Sequence, residues 1–545
     1  MEFPGRVAGG SALDVHDRLG TTVERRVPDD TAAVARGGLA NLAGAGFAGV
    51  AGLGVAWLVA RSLGPAAAGV LFAAVATFTL VTGVARLGTP TGLVFWIARL
   101  RARGRADLAG ATLWAGTVPV AVIAVGLAVA LWLAAPWLAG LTTGPHPDPA
   151  GTAAGATTGT LRALAGFLPA AALADALLAA TRGHRRMRPT VTLDKVLRPG
   201  LQLFGIAALA VAALSVTVPP VAWPVAWAAP YLPVLLLAGY VTWAVGPELT
   251  DPPSRSALRA VAGPFWRFTA PRAVASVLQQ ALQRLDILLV AALAGPAAAA
   301  IYTVAGRFVI LGQFASQAVG HAIQPRLAER LDAGDTAGAG ALYRTATGWL
   351  VLTTWPLYLL VGSFATFYLG LFGAAYQTGA TIVAVLATAM LLATACGVVD
   401  MLLAMAGRTS WNLLNVCLAL VAMVGIDLAL IPRHGAIGAA IGLAAAVAVN
   451  NLLPLAQVAY ALRVHPFGAG TLAAAGLAAG CFGALPALVT TVAGTGPVAL
   501  AGSVAAAVIA YAVGAWRLRR PLALTALTTI VLMRSRNQRG GQYAQ

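Results

Sequence analysis

The stretch FWRFTAPRAVASVLQQALQRLDILLVAALAG, Phe265 to Gly295, decides how the rest of the chain is read. Arg272, Ser276, Gln279, Gln283 and Asp286 recur in it at spacings of 4, 3, 4 and 3. At about 100° per residue, these five stay within roughly 80° of one another on a helix. Their stripe is about 21 Å long at ~1.5 Å per residue, which covers most of a hydrocarbon core of about 30 Å. The residues around it are apolar enough to cross a membrane. Lipid does not accept an arginine and an aspartate on such a face, so the stripe is expected to look into a protein-walled, wet cavity. The competing reading is polar glue between packed helices.

Composition supports a membrane setting. The chain has 545 residues, of which 59% are hydrophobic and 10% charged; soluble proteins carry about 25% charged residues. Cys396, Cys417 and Cys481 lie in apolar segments and read as small buried hydrophobes rather than a disulfide framework. Lys195 is the one lysine, and no GxxxxGK[ST] loop occurs, so ATP cannot be bound by a P-loop. Energy for work would come from an ion gradient, the substrate or a partner. No metal-ligand cluster or nucleophile triad is present, and nothing points to nucleic acid. No cofactor is implied beyond a coupling H⁺ or Na⁺.

Working outward, apolar segments fill residues 37 to 516 in fourteen runs long enough to span. The positive-inside rule tests that count. With the N-terminus in the cytoplasm, the tails and inner turns hold 27 of the 36 basic residues. The outer turns hold two, Arg61 and Arg433, and seven lie inside spans: Arg86, Arg162, Lys195, Arg198, Arg272, Arg284 and Arg307. A miscount by one helix would scramble this asymmetry. The expected class is therefore an all-α polytopic membrane protein of about fourteen helices with both termini cytoplasmic.

The expected division is a mobile cytoplasmic tail over 1–36, six helices over 37–245, a cytoplasmic linker over 246–263, six more over 264–463, two additional helices over 464–516, and a basic tail over 517–545. Within that tail the apolar run Pro521 to Met533 is too short to span and is expected to lie along the anionic inner leaflet. The longest outer loop, Leu141 to Gly155, leaves little room for an external catalytic domain.

An internal repeat runs through the plan. Gly64-Pro65-Ala66-Ala67-Ala68 and Gly295-Pro296-Ala297-Ala298-Ala299 lie 231 residues apart, each after the first helix of a six-helix set. Duplicated halves meeting around a midplane site are a common build of secondary transporters. Three polar faces could then wall one cavity: the opening stripe, Gln313-Gln317-His321-Gln324 with Arg307 nearby, and Thr79-Thr82-Arg86-Thr89. The threonines can equally back-bond to their own helix. Arg86, Arg272, Gln279, Gln283, Arg307 and Gln317 are the candidate substrate contacts. The spans hold seven bases and five acids (Asp175, Asp194, Asp286, Asp400, Asp427), an excess that suits an anionic passenger. Two roles fit Asp286: binding a coupling H⁺ or Na⁺, or neutralising an arginine. Arg284 points roughly 200° away from Asp286, so these two are not expected to pair. Asp194-Lys195-Arg198 reads as interfacial, and Pro271 as a hinge at the base of the stripe.

Four strings fit one family in order and spacing: ARSLGPAAAG (Ala60 to Gly69), RLDILLVAALAGPAAAAIYTVAGRF (Arg284 to Phe308), LFGAAY (Leu371 to Tyr376) and LIPRHGAIGAAIG (Leu430 to Gly442). Over residues 37 to 520 the chain resembles the polysaccharide flippases of the Wzx type, within the multidrug/oligosaccharidyl-lipid/polysaccharide exporter superfamily. The resemblance implies two six-helix bundles around a central cavity, with extra helices at the C-terminal end. It implies a transporter and not an enzyme: a polyprenyl-pyrophosphate-linked glycan moves from the inner to the outer leaflet by alternating access. It carries a cationic cavity onto Arg272 and Arg307 and an acid of the seventh helix onto Asp286. The implied setting is a bacterial-type cytoplasmic membrane, with the lipid-linked glycan, membrane lipids and a polysaccharide polymerase or other export components as partners. Asp427 departs from the pattern, which commonly has Asn there. The alternatives are a multidrug/cation antiporter of the same superfamily, which would want an acidic cavity, and a membrane glycan polymerase or ligase, which would want a large outer loop.

Overall fold

The computed structural model describes residues 13–142, 152–246, 252–493 and 497–524, with residues 13–39 as backbone only. The outer loop after Thr142, the beginning of the N-terminal tail and most of the run from Pro521 to Met533 lie outside the described residues. Among those described, regular structure is all helical, and eleven helices are long and apolar enough to cross a membrane. A bent pair, Pro296–Phe308 with Gly312–Asp332, makes twelve. The first of the eleven, Ala40–Ala102, breaks into two at Gly64, and Thr336–Ser363 adds 28 residues, about 42 Å of helix. Against the fourteen expected passes, eleven helices, or twelve with the bent pair, meet the length and hydropathy test among the described residues.

Helix α1 (Leu13–Ala85) starts well inside the segment expected to be a tail, and it turns at Gly64, whose φ of 70° and ψ of 175° are open to glycine and costly for other residues. Pro65 then opens the second arm, where its missing N–H is not needed. After α2 (Thr89–Ala102) and α3 (Ala109–Thr142), α4 (Thr152–Ala165) and α5 (Leu168–Gly183) make one pass. A π-helical turn over Thr190–Leu197 leads into α6 (Arg198–Ala212), and α7 (Ala222–Ala228) with α8 (Tyr231–Val245) closes the first set.

Helix α9 (Arg255–Ala294) carries the opening stripe. Ser254 Oγ caps it by accepting the Ala257 N–H at 3.2 Å, so the expected linker is already helical from Arg255. Gly295, at φ 87° and ψ 168°, repeats the conformation of Gly64. The GPAAA match in the sequence is thus also a match in backbone. Beyond it come α10 (Pro296–Ala305), a 3₁₀ turn over Gly306–Phe308, and α11 (Val309–Asp332), with a bend of 40° between the two helices. The second set continues through α12 (Thr336–Ser363), α13 (Ala365–Gly370), α14 (Ala380–Ala395), α15 (Val399–Met405), α16 (Thr409–His434) and α17 (Ala436–Leu462). The chain ends in α18 (Ala469–Ala478), α19 (Leu485–Ala493) and α20 (Pro497–Arg517).

At the end of the bundle that carries the two glycine turns, the outer end on the charge argument, one apolar core joins both halves. Val59, Leu71 and Phe72 of α1 pack there with Val290 and Ala291 of α9, Tyr302 of α10 and Tyr376. The Trp57 indole donates to the Leu371 carbonyl at 2.8 Å across the same seam. At the other end α9 departs from the expected division. Phe265 is fully buried among Leu93, Ile97 and Leu113, Phe268 stacks on Phe95 at 4.0 Å, and Trp266 donates to the Ala115 carbonyl at 3.2 Å. α9 therefore starts against helices of the first half and finishes among those of the second. After α20 the chain folds back: Leu522 is buried between Val351 and Ala474, and its carbonyl accepts the Trp349 indole N–H at 3.1 Å.

Candidate functional site

Four members of the opening stripe, Arg272, Ser276, Gln279 and Gln283, are exposed on α9, as expected of a wet face. Gln313, Gln317 and His321 are exposed on α11. Arg272 is braced from its own helix: its guanidinium donates to the Phe268 carbonyl at 2.9 Å and lies 3.7 Å from the Phe268 ring centroid. The guanidinium is thereby held in place by a modest attraction, since cation–π contacts contribute about 0.5–1 kcal/mol at exposed sites.

Asp286 does not share that exposure. It is buried, with Oδ2 accepting the Tyr302 hydroxyl at 2.6 Å and Oδ1 accepting the Ile287 N–H at 2.8 Å. The stripe therefore ends one turn early, and its last member turns into the contact between α9 and α10. Among the described residues Asp286 forms no ion pair, so a hydroxyl and not an arginine satisfies it. Its field reaches Asp427 on α16, which is fully buried. Neither Asp427 carboxylate oxygen has a partner among the described residues, and a Cβ on Gly442 would collide with one of them. The glycine of GAAIG thus makes room for this acid. A buried carboxylate without a partner is costly unless it takes up a proton or a cation.

In the first half, Arg86 pairs with Asp175, at side-chain exposures of 34% and 22%. Arg86, expected as a free cavity cation, is therefore matched by a counter-charge that sequence spacing alone could not bring beside it. Thr79 and Thr82 back-bond to Val75 and Phe78 at 2.7 Å each and are not cavity donors. Asp194, Lys195 and Arg198, expected at the interface, lie half-buried in and just after the π-helical turn and pair with one another. Arg198 donates to Asp194 Oδ1 at 2.8 and 3.2 Å and lies over the Tyr231 ring at 5.2 Å, while Lys195 holds Asp194 Oδ2 at 2.9 Å.

Two arginines, Arg307 and Arg284, have no ion-pair partner among the described residues. Arg307 lies in the 3₁₀ turn between α10 and α11, 5.7 Å over the Phe72 ring of α1. Arg284 of α9 senses both Asp286 and Tyr231 of α8. The Nε atoms of both are buried and unsatisfied among the described residues. Arg272 lies twelve residues of helix, about 18 Å, from Arg284 along the α9 axis.

These features define a multi-pass helical membrane protein with a polar seam between two repeated halves. The MatE family model matches residues 271–431, from the base of the stripe to the end of α16. Among solved structures, one described as the lipid II flippase MurJ in an inward closed conformation superposes with a TM-score of 0.69 at 11% identity, covering 88% of this chain and 98% of that one. An inward-facing multidrug resistance MATE family transporter of the MOP superfamily gives 0.56 at 18% identity, over 76% and 95% of the two chains. A MOP superfamily transporter from Pyrococcus furiosus, described as having reversed polarity in its binding pocket, gives 0.51 at 17% identity, over 79% and 96%. At these identities the likeness is one of fold: the chain has the fold of the MOP-superfamily exporters. Sequence comparison with curated proteins finds no match.

Proposed function

We propose that this protein is a flippase that moves a polyprenyl-pyrophosphate-linked oligosaccharide from the inner to the outer leaflet by alternating access. The setting would be a bacterial-type cytoplasmic membrane, both termini inside, with a polysaccharide polymerase and other export components as partners for cell-surface polysaccharide synthesis. The observation that carries this reading is the set of unpaired arginines along the seam, Arg272, Arg284 and Arg307, on or beside exposed amides. Guanidinium forks match phosphate oxygens, and such cations are costly near lipid unless a function keeps them. An apolar core closes the end that carries the glycine turns, and the exposed stripe runs towards the opposite end, an arrangement that would suit loading from the inner leaflet with both termini inside. Arg86, Gln279, Gln283 and Gln317 would contact the passenger's polar part, and Asp286 would take part in ion coupling.

The second reading is a multidrug/cation antiporter, favoured by the match to the MatE family model and by the fold likeness to MATE transporters. Unpaired arginines repel a cationic drug, which weighs against it. The test is export of lipid-linked glycan by cells or proteoliposomes carrying Arg272→Ala and Arg307→Ala together. Loss of glycan export with normal insertion is expected, and undiminished export would remove the flippase reading. Extrusion of organic cations by the wild type without glycan export would establish the antiporter instead.

A further inference from the structure

We propose that Arg162, held against Trp132, is a binding site for the phosphate of a phospholipid headgroup in the outer leaflet. The site lies on the membrane-facing surface of the first half and stands or falls independently of the passenger proposed above.

The direction in which Trp132 points is the first argument. Val118, Val122, Val125, Val129, Trp132 and Trp137 follow one another along α3 at helical spacing, and all are exposed. The whole helix is strongly apolar, with a mean hydropathy of 2.5, so this exposed stripe is the face turned to lipid. The other side of α3, through Val120, Ala124, Leu131 and Ala135, packs with Leu161 and Leu164 of α4 in the first-half core. Arg162 emerges between those two leucines and lies over the Trp132 ring, on the lipid side of the contact.

Depth is the second argument. Arg162 precedes the end of α5 at Gly183 by 21 residues of helical pass, about 32 Å, and Trp132 follows the start of α3 at Ala109 by 23, about 35 Å. Both counts start beside arginine-rich turns, Arg185–Arg188 and Arg99–Arg105, that the charge asymmetry places inside. A hydrocarbon core is about 30 Å thick, so Arg162 reaches its far edge, where the phosphates of the opposite leaflet lie. An arginine turned to lipid is costly at the bilayer centre and tolerated at this level.

The third argument is how the guanidinium is held. Its Nε donates to the Trp132 carbonyl at 3.3 Å, and its central carbon lies 4.3 Å from the ring centroid. One edge and one face are thereby used, and the plane is fixed. The two Nη groups make no hydrogen bond or ion pair among the described residues, so the fork is left for a ligand. A planar fork of this kind matches two oxygens of a phosphate. Between Asp107 and Asp175 the sequence offers one acid, Asp148 of the outer loop. Arg162 also stands in the last turn of α4, just before the pass breaks at Gly166 and Phe167. A phosphate bound there would brace α3 and α4 together immediately outside that break.

The test uses the full chain in maltoside micelles doped equally with phosphatidylglycerol and a diacylglycerol of the same chains. Benzoylphenylalanine in place of Leu133, an exposed neighbour of Trp132, reports by photo-cross-linking which lipid sits at the site. The expected adduct ratio favours the phosphate lipid by about threefold or more, the scale of an exposed charge pair. Arg162→Gln should remove the preference. Arg162→Lys keeps the charge without the fork and should retain part of it. A preference unchanged in both variants overturns the site. Loss of the preference with excess inorganic phosphate would show a site for free phosphate and overturn the lipid assignment. A preference absent from the wild type and gained in Asp148→Asn would show that the loop acid holds the guanidinium, which also overturns the proposal.

Discussion

Gly69 packs directly on the carbonyl of Pro296, leaving no room for a Cβ between them. Gly69 closes the first copy of the repeated turn and Pro296 opens the second, so the two copies touch each other across the seam. Replacing Gly69 with Leu forces the outer ends apart. The expected cost is about 1–3 kcal/mol, the usual range for overpacking. The check is a cross-link through a flexible bismaleimide between cysteines placed at Trp57 and Leu371, since the Trp57 indole reaches the Leu371 carbonyl in the same seam. It should form readily in the wild-type background and poorly with Gly69→Leu. Equal yields would mean that the turns can slide without opening the seam.

The end of the chain gives a second prediction. From sequence, removal of everything from Pro521 onward leaves the spans intact and should still give a folded, inserted protein. The structure adds a cost, because Leu522 is 3% exposed and plugs the gap between α12 and α18. Losing that side chain's burial costs roughly 1.5–3 kcal/mol. A chain ending at Arg520 should therefore aggregate at lower temperature in detergent than one ending at Leu524. Indistinguishable melting of the two would show that the plug contributes nothing.

What sequence could and could not reveal follows from the range of the interactions involved. The all-helical, multi-pass character and the glycine turns are local properties, readable from hydropathy and the GPAAA match. So was the exposed run Arg272 to Gln283, since helical period alone puts those residues on one face. Pairing across the bundle was not readable. Asp175 reaches Arg86 from a helix 89 residues away, and no spacing rule connects them. Asp286 was assigned to the stripe by period, yet one turn of helix carries it under Tyr302, a residue of the next helix. The π-helical turn that carries Asp194 leaves no signature in hydropathy.

Topology can be probed where side chains are free. Gly183, a natural labelling site by sequence, is unsuitable because it is buried against Ile97. Met187 lies four residues on, in the exposed turn Arg185–Arg188. A cysteine at Met187 in a background lacking the native three should resist impermeant maleimide in intact cells and react after permeabilisation. A cysteine at Leu371, exposed at the outer seam, should react in intact cells. The opposite pattern would invert the orientation, and mixed labelling at Met187 would break the fourteen-pass arrangement.

The buried acids carry the last prediction. Asp427 is fully enclosed with both carboxylate oxygens unpartnered, and Asp286 lies within reach of its field. Asp427→Asn keeps the shape and removes the charge. It should leave the fold as stable as before, or firmer by about 1 kcal/mol or more, since a buried unpaired charge is a burden to the folded state. If the pair takes up the coupling ion, the same variant transports without responding to the ion gradient. Asp286→Asn should behave alike in transport but not in stability, because it weakens the bonds from Tyr302 and Ile287, at about 1–3 kcal/mol for a hydrogen bond to a charged group. Tyr302→Phe separates the two effects: it removes the hydroxyl and leaves both acids. That variant should lose stability yet keep its gradient response. Measured together, melting temperatures and gradient-driven export in the three variants assign the roles. A gradient response that survives in both Asn variants would leave these acids a structural part only.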